Sequence, residues 1–265
     1  MKNLGDGVAL VIGFADYIRG IMRVTGWRKI IVMFRIIMTT LEAASLMTLG
    51  LVFRNGNRSY INKKVHIWNQ KMLQIVRAKY KIFNPYGFEF KPDRSYVVMS
   101  NHLSLYDIPL IFATFPGASV RMIAKKELYR IPVFGWGIRA GECVSIDRTN
   151  HRQAVKDLAL AKQKILSGIK MWIAPEGTRS RTGNMGEFKK GGFKLALGAK
   201  AIIVPVAIIG SNKILPPGTF DFSVGETVEM HICKPIDTMD YSLKDLPKLM
   251  EDTASEIKEA YYNKH

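Results

Sequence analysis

The spacing of apolar side chains changes character twice along the chain. Residues 30–53 form a nearly unbroken apolar run of 24 residues, about the length that crosses a bilayer core. Arg35, Glu42 and several Ser and Thr residues interrupt it, and basic residues flank it on both sides: Arg28-Lys29 before it, Arg54, Arg58, Lys63 and Lys64 after it. A spanning helix usually has its positive excess on one side only. The pattern therefore predicts a helix pair, over roughly 5–24 and 28–53, embedded in one leaflet, with a true span as the alternative. Asp16 cuts short the apolar run from Val8 to Ala15, which makes this a poor secretory leader.

From Ser59 to Tyr80 the period becomes helical. Val65, Trp68, Met72, Ile75, Val76 and Tyr80 recur at steps of mainly three and four and share one face, while Lys63, Lys64, Lys71, Arg77 and Lys79 supply charge. Beyond about residue 88 the runs shorten. Candidate strands cover 96–100, 121–124, 143–146, 171–174, 202–208 and 228–232, separated by helical stretches, of which 152–167 and 242–262 are the clearest. Alternating β and α elements predict an α/β domain over 58–265, with a mixed sheet flanked by helices, preceded by membrane-associated helices over 1–57.

Charge sharpens the picture. The 265 residues carry 39 Lys/Arg against 22 Asp/Glu, a net charge of +17. Residues 54–94 hold ten Lys/Arg against two acids, and residues 1–53 six against three, so most of the excess lies beside the greasiest segment. Basic charge next to an apolar anchor suits anionic membrane lipids better than nucleic acid, which calls for basic residues interleaved with exposed aromatics on one domain face. The two cysteines, Cys143 and Cys233, sit among β-formers and read as buried free thiols. Nothing in the His and Cys spacing suggests a metal.

Candidate chemistry gathers behind the strands. Asn101-His-Leu-Ser-Leu-Tyr-Asp107 follows the first of them, with His102 and Asp107 five residues apart. On one helix that spacing points them about 140° apart, so they meet only if His102 lies on a turn and Asp107 on the helix after it. A carboxylate on one imidazole nitrogen fixes the tautomer and leaves the other nitrogen to act as a base. The alternative is a cap, in which Asp107 faces backbone amides. Ala174-Pro-Glu-Gly-Thr-Arg-Ser180 follows a second strand; Gly177 relieves the backbone there, and Arg179 can fork onto a phosphate. Ile146-Asp147-Arg148 and Ala124-Lys125-Lys126-Glu127-Leu128 end two more strands. Ligands of α/β sheets collect at the carboxyl ends of strands.

These residues resemble the glycerolipid acyltransferases, and specifically the 1-acyl-sn-glycerol-3-phosphate acyltransferase branch. Residues 101–107 match the family's first motif, a His and an Asp separated by four residues. Gly141 to Arg148 resembles the second, Pro175 to Ser180 the third and Val204 to Gly210 the fourth, all in order. Ala174 stands where an aromatic residue is usual, and Cys143-Val-Ser145 replaces commoner residues of the second motif. The resemblance implies acyl transfer to the free hydroxyl of a lysophosphatidic acid, with His102 as general base and Asp107 orienting it. It also implies that Lys125, Arg148 and Arg179 hold the phosphate, that Glu176 and Gly177 shape that pocket, and that Pro205 fixes a strand or loop near the thioester. No cofactor is expected; the co-substrate is acyl-CoA or an acyl carrier protein thioester. The implied location is the cytoplasmic face of a membrane, the inner membrane in a bacterium. A thioester is already activated, so no covalent acyl-enzyme is required, and the chain has no Gly-x-Ser-x-Gly elbow. Ser104 and Cys143 are the remaining candidate nucleophiles.

Overall fold

The computed structural model describes residues 22–53, 57–147 and 150–262. The helix expected over 5–24 lies largely outside these residues. At its end, Met22–Arg23 is a short strand paired antiparallel with Ser223–Val224 rather than a helical turn. The apolar run is one helix, α1 (Trp27–Phe53), as its composition requires. It is long and apolar enough to cross a membrane, and only 22% of its most apolar window is buried.

The second helix, α2 (Arg58–Ile75), is shorter than its apolar period predicts. Arg77 adopts φ 49°, and the Ala78 N–H reaches back to Leu73 O at 2.9 Å, a Schellman-type stop without the usual glycine. Tyr80 therefore belongs to strand β1 (Lys79–Phe83). The remaining main strands are β2 (Tyr96–Ser100), β3 (Val120–Lys125), β4 (Val144–Ile146), β5 (Lys170–Ile173), β6 (Ile202–Ile209) and β7 (Thr227–Ile232). They form a mixed sheet in the order β1-β7-β6-β2-β5-β3-β4. The strands β6, β2, β5, β3 and β4 are parallel, whereas β7 runs antiparallel to β6. The carboxyl ends of five strands thus share one edge of the sheet.

Helices cover both faces. On one lie α1, α2 and α3 (Asp107–Thr114), closing a core of Val98, Tyr106, Leu110, Ile111, Trp172 and Val204. On the other lie α5 (His151–Leu166), α6 (Lys190–Gly198) and α7 (Leu246–Tyr262), around Met99, Ile165, Phe193 and Leu249. Between these helices in the chain, α4 (Phe134–Ala140) packs on α1. Gly137 permits that packing: a Cβ there would fall 2.3 Å from the Cβ of Ala44. The contrast between β2, buried at every position, and α1, largely exposed, marks where the domain core ends.

Candidate active site

The chain leaves β2 at Ser100 and reverses before α3 begins at Asp107, so His102 lies on the turn and Asp107 in the first turn of the helix. His102 Nδ1 is 2.7 Å from Asp107 Oδ2. The same oxygen accepts the backbone N–H groups of Leu103 (2.7 Å) and Ser104 (2.9 Å). Pairing and capping, alternatives in the sequence, are therefore met by one oxygen. Asp107 is fully buried, and its fixed carboxylate assigns the ring proton to Nδ1. Nε2 is left without a partner among the described residues, and the ring remains partly open to solvent.

Two neighbours hold this turn that the sequence did not single out for it. The Asn101 side chain accepts the Ile208 N–H (2.7 Å) and donates to the Ile208 carbonyl (2.8 Å), pinning the start of the turn to β6. Trp172 on β5 stands edge-on to the His102 ring at 5.8 Å, with its indole N–H on Ser100 Oγ. Asn101 is inside the recognisable motif; Trp172 carries no local signal, because only strand pairing brings it beside His102.

Glu176 proves to be a clamp. One carboxylate oxygen accepts the His102 backbone N–H at 2.8 Å and the other accepts that of Gly186 at 2.7 Å. A further bond, Ser180 N–H to the His102 carbonyl at 2.8 Å, ties the two loops directly. Burial raises the Glu176 carboxyl above its usual range, and the hydrogen bonds from Gly186 and His102 offset part of that rise. Gly177 has φ 73°, a left-handed conformation suited to glycine, and the Lys189 side chain lies over it. This turn brings Arg179 next to Ser180, whose backbone is bonded to the His102 turn. Arg179 is half-buried, and among the described residues it forms no ion pair or hydrogen bond.

The other expected residues fall at different distances from this centre. Lys125 ends β3 on the edge that carries His102 and is exposed. Arg148 lies outside the described residues. Pro205 is buried in mid-strand, level with Met99 on β2, where β6 passes from pairing with Ile236–Asp237 to pairing with β7. A residue without an N–H fits that break in the ladder, and it places Pro205 in the scaffold beneath the turn.

The rival nucleophiles are occupied. Ser104 Oγ is buried, donates to the Leu215 carbonyl at 2.8 Å and accepts the Tyr106 N–H. Cys143 precedes β4 instead of lying in it and is less enclosed than expected; Cys233 is buried, and both are free. Burial pushes both thiols upward, Cys233 to about 12, so neither is a thiolate near neutral pH. One residue beyond Asp107, Ile108 enters the wall of an apolar cavity of about 100 Å³ between α1, α2, α3 and α4, which Met47, Trp68, Phe112 and Ile138 also line.

Comparison with known proteins finds similar sequences and a similar fold. The Acyltransferase family model matches residues 82–209. The chain is 35% identical over 159 residues to the chloroplastic 1-acyl-sn-glycerol-3-phosphate acyltransferase LPAT1 of Arabidopsis thaliana, covering 59% of this chain and 44% of that one. It is 31% identical to the probable 1-acyl-sn-glycerol-3-phosphate acyltransferase of Mycoplasma pneumoniae, covering 75% of this chain and 77% of the relative. The chain spans less than half the length of the chloroplast relatives it matches. Among solved structures, the 1-acyl-sn-glycerophosphate acyltransferase PlsC of Thermotoga maritima superposes with a TM-score of 0.70 at 26% identity, covering 89% of this chain and 98% of that one.

Proposed function

This chain belongs to the 1-acyl-sn-glycerol-3-phosphate acyltransferase family, and we propose that it acylates the free hydroxyl of 1-acyl-sn-glycerol 3-phosphate, giving phosphatidic acid. The observation that carries the reading is the 2.7 Å contact between His102 Nδ1 and the buried Asp107 carboxylate, with Nε2 unpartnered among the described residues. In this reading Nε2 takes the proton of the acceptor hydroxyl as its oxygen attacks the thioester carbonyl. Asp107 stabilises the imidazolium that forms. Collapse of the tetrahedral intermediate breaks the C–S bond, and the proton on His102 passes to the departing thiolate. No covalent acyl-enzyme intervenes.

Arg179 is the residue assigned to the acceptor phosphate, because the Ser180–His102 backbone bond keeps its loop beside the His102 turn and its guanidinium has no acidic partner among the described residues. Lys125, and Arg148 outside the described residues, are assigned to the same group. Acyl-CoA or an acyl carrier protein thioester serves as donor. The exposed apolar side of α1 anchors the chain in the membrane, with the active site on the cytoplasmic side where such thioesters occur.

The test is transfer from each thioester to lysophosphatidic acid by the purified full chain, beside a His102→Ala control. Product that disappears in the control supports the reaction and its base. Absence of product with both donors removes this acceptor from the assignment.

A further inference from the structure

We infer that the bilayer contact continues beyond α1 onto the segment 130–139, placing Ile131 and Trp136 at the boundary between headgroups and acyl chains of an anionic membrane. The inference rests on the membrane reading of α1. The occupant of this surface is lipid, and four observations point to it.

First, α4 cannot leave the anchor. The Gly137 backbone lies directly on Ala44, and Ala140 shares a small core with Ala43 and Met47. Wherever the middle of α1 sits in the bilayer, α4 sits beside it. Second, α4 buries its small residues Gly135, Gly137 and Ala140 yet leaves Trp136 55% exposed, and the turn before it leaves Ile131 46% exposed. Large apolar side chains standing in water next to an apolar helix are costly unless something covers them. Third, the turn is strained. Val133 has φ 63°, a conformation a β-branched residue seldom adopts, and it lies between Ile131-Pro132 and the start of α4.

Fourth, the charge around the apolar pair is positive. Lys125, Arg130 and Arg139 are exposed, Arg139 over the Tyr129 ring, while Lys126 is paired with Asp147. Glu127 is the one acid between 125 and 139. Tryptophan flanked by exposed arginines matches the layered chemistry of a bilayer surface, where indole lies at headgroup depth and cations meet lipid phosphates.

The placement matters for the reaction. The segment leaves β3 at Lys125, on the sheet edge from which the His102 turn also departs. Seating Trp136 in the headgroup layer draws that edge to the bilayer. A lysolipid can then reach His102 from the bilayer without crossing bulk water.

The experiment uses the full chain carrying an environment-sensitive fluorophore on Trp136→Cys or, as control, on exposed Val155→Cys in α5, across the sheet from α1. Both proteins are bound to phosphatidylcholine–phosphatidylglycerol vesicles. We expect the label at 136 to be quenched by shallow spin-labelled lipid about five-fold more than the label at 155, and protected from aqueous iodide. Equal iodide access at both positions overturns the proposal. A second measurement does not depend on the label. Trp136→Ser should raise the apparent KM for lysolipid presented in vesicles about five-fold and leave that for a water-soluble short-chain acceptor unchanged. Equal effects on both acceptors overturn the interfacial role. The quenching result stands even if lysophosphatidic acid is not the acceptor, so failure of the surface and failure of the proposed reaction are separable.

Discussion

Two clusters of arginine and carboxylate lie in this domain, and they treat their charges in opposite ways. Where α2 meets the sheet, Glu142 is gripped by Arg58 through both oxygens (2.9 and 3.0 Å), approached by Lys164 at 3.3 Å and faced by buried Arg121 at 3.9 Å. Arg58 also donates to the Ser167 carbonyl, and Arg121 to Asn62. Every charged group there answers another, and the first turn of α2 is fastened to β3, β4 and the end of α5. At the carboxyl edge of the sheet, Asp107 answers only His102 and two backbone N–H groups, and Arg179 answers no acid among the described residues. Cations neutralised by protein hold the fold; a cation without an acidic partner is available to a ligand. Arginine content alone would not have told the two clusters apart.

The comparison breaks most visibly at the edge. His102→Ala should lower kcat by about a thousand-fold or more while leaving the melting temperature close to wild type, measured on the same preparation. Asp107→Asn should cost about a hundred-fold in kcat, since an amide no longer fixes the imidazole tautomer or stabilises its cation. Arg179→Ala should raise the acceptor KM about thirty-fold with a smaller change in kcat, because a charge-assisted contact to phosphate contributes about 2 kcal/mol. An unchanged KM would remove Arg179 from that role. Glu176→Gln should reduce kcat about ten-fold and KM little. The amide can accept one of the two N–H groups but presents N–H to the other, which loosens the turn under His102.

The smallest effect on catalysis, and the sharpest test of the contrast, is Glu142→Gln. It should leave transfer per folded molecule unchanged while destabilising the protein by about 2 kcal/mol, since Arg121 keeps its charge in a buried site. Burial pushes the Glu142 carboxyl up, but Arg58 and Lys164 together hold it below its usual value of 4.5. A depressed carboxylate adds stability above its unfolded pKa and loses it as pH falls through the folded one. Melting curves from neutral pH down through the carboxylate range should therefore fall more steeply for wild type than for Glu142→Gln. Equal slopes would mean that the pair contributes nothing.

Much of this was readable in one dimension. The strand-turn-helix at 96–114 was legible because the apolar run, the polar break and the spacing of His102 and Asp107 are all local. The strand at 79–83 was not, since its partner is 227–232 and its five residues are all exposed. The end of α2 was hidden for a related reason: Arg77 takes the left-handed position that glycine usually announces. Glu176 was recognisable as important but not as a clamp, because its partners at 102 and 186 meet only in the folded sheet.

The sequence by itself determined the layer architecture, the apolar helix, the family and the local placing of His102 and Asp107 on a turn and the helix after it, since period, composition and short-range spacing act along the chain. Only the tertiary structure decided which charges pair with each other and which stay open. That choice depends on distances between strands far apart in sequence, and on burial, which sets what an unpaired charge costs.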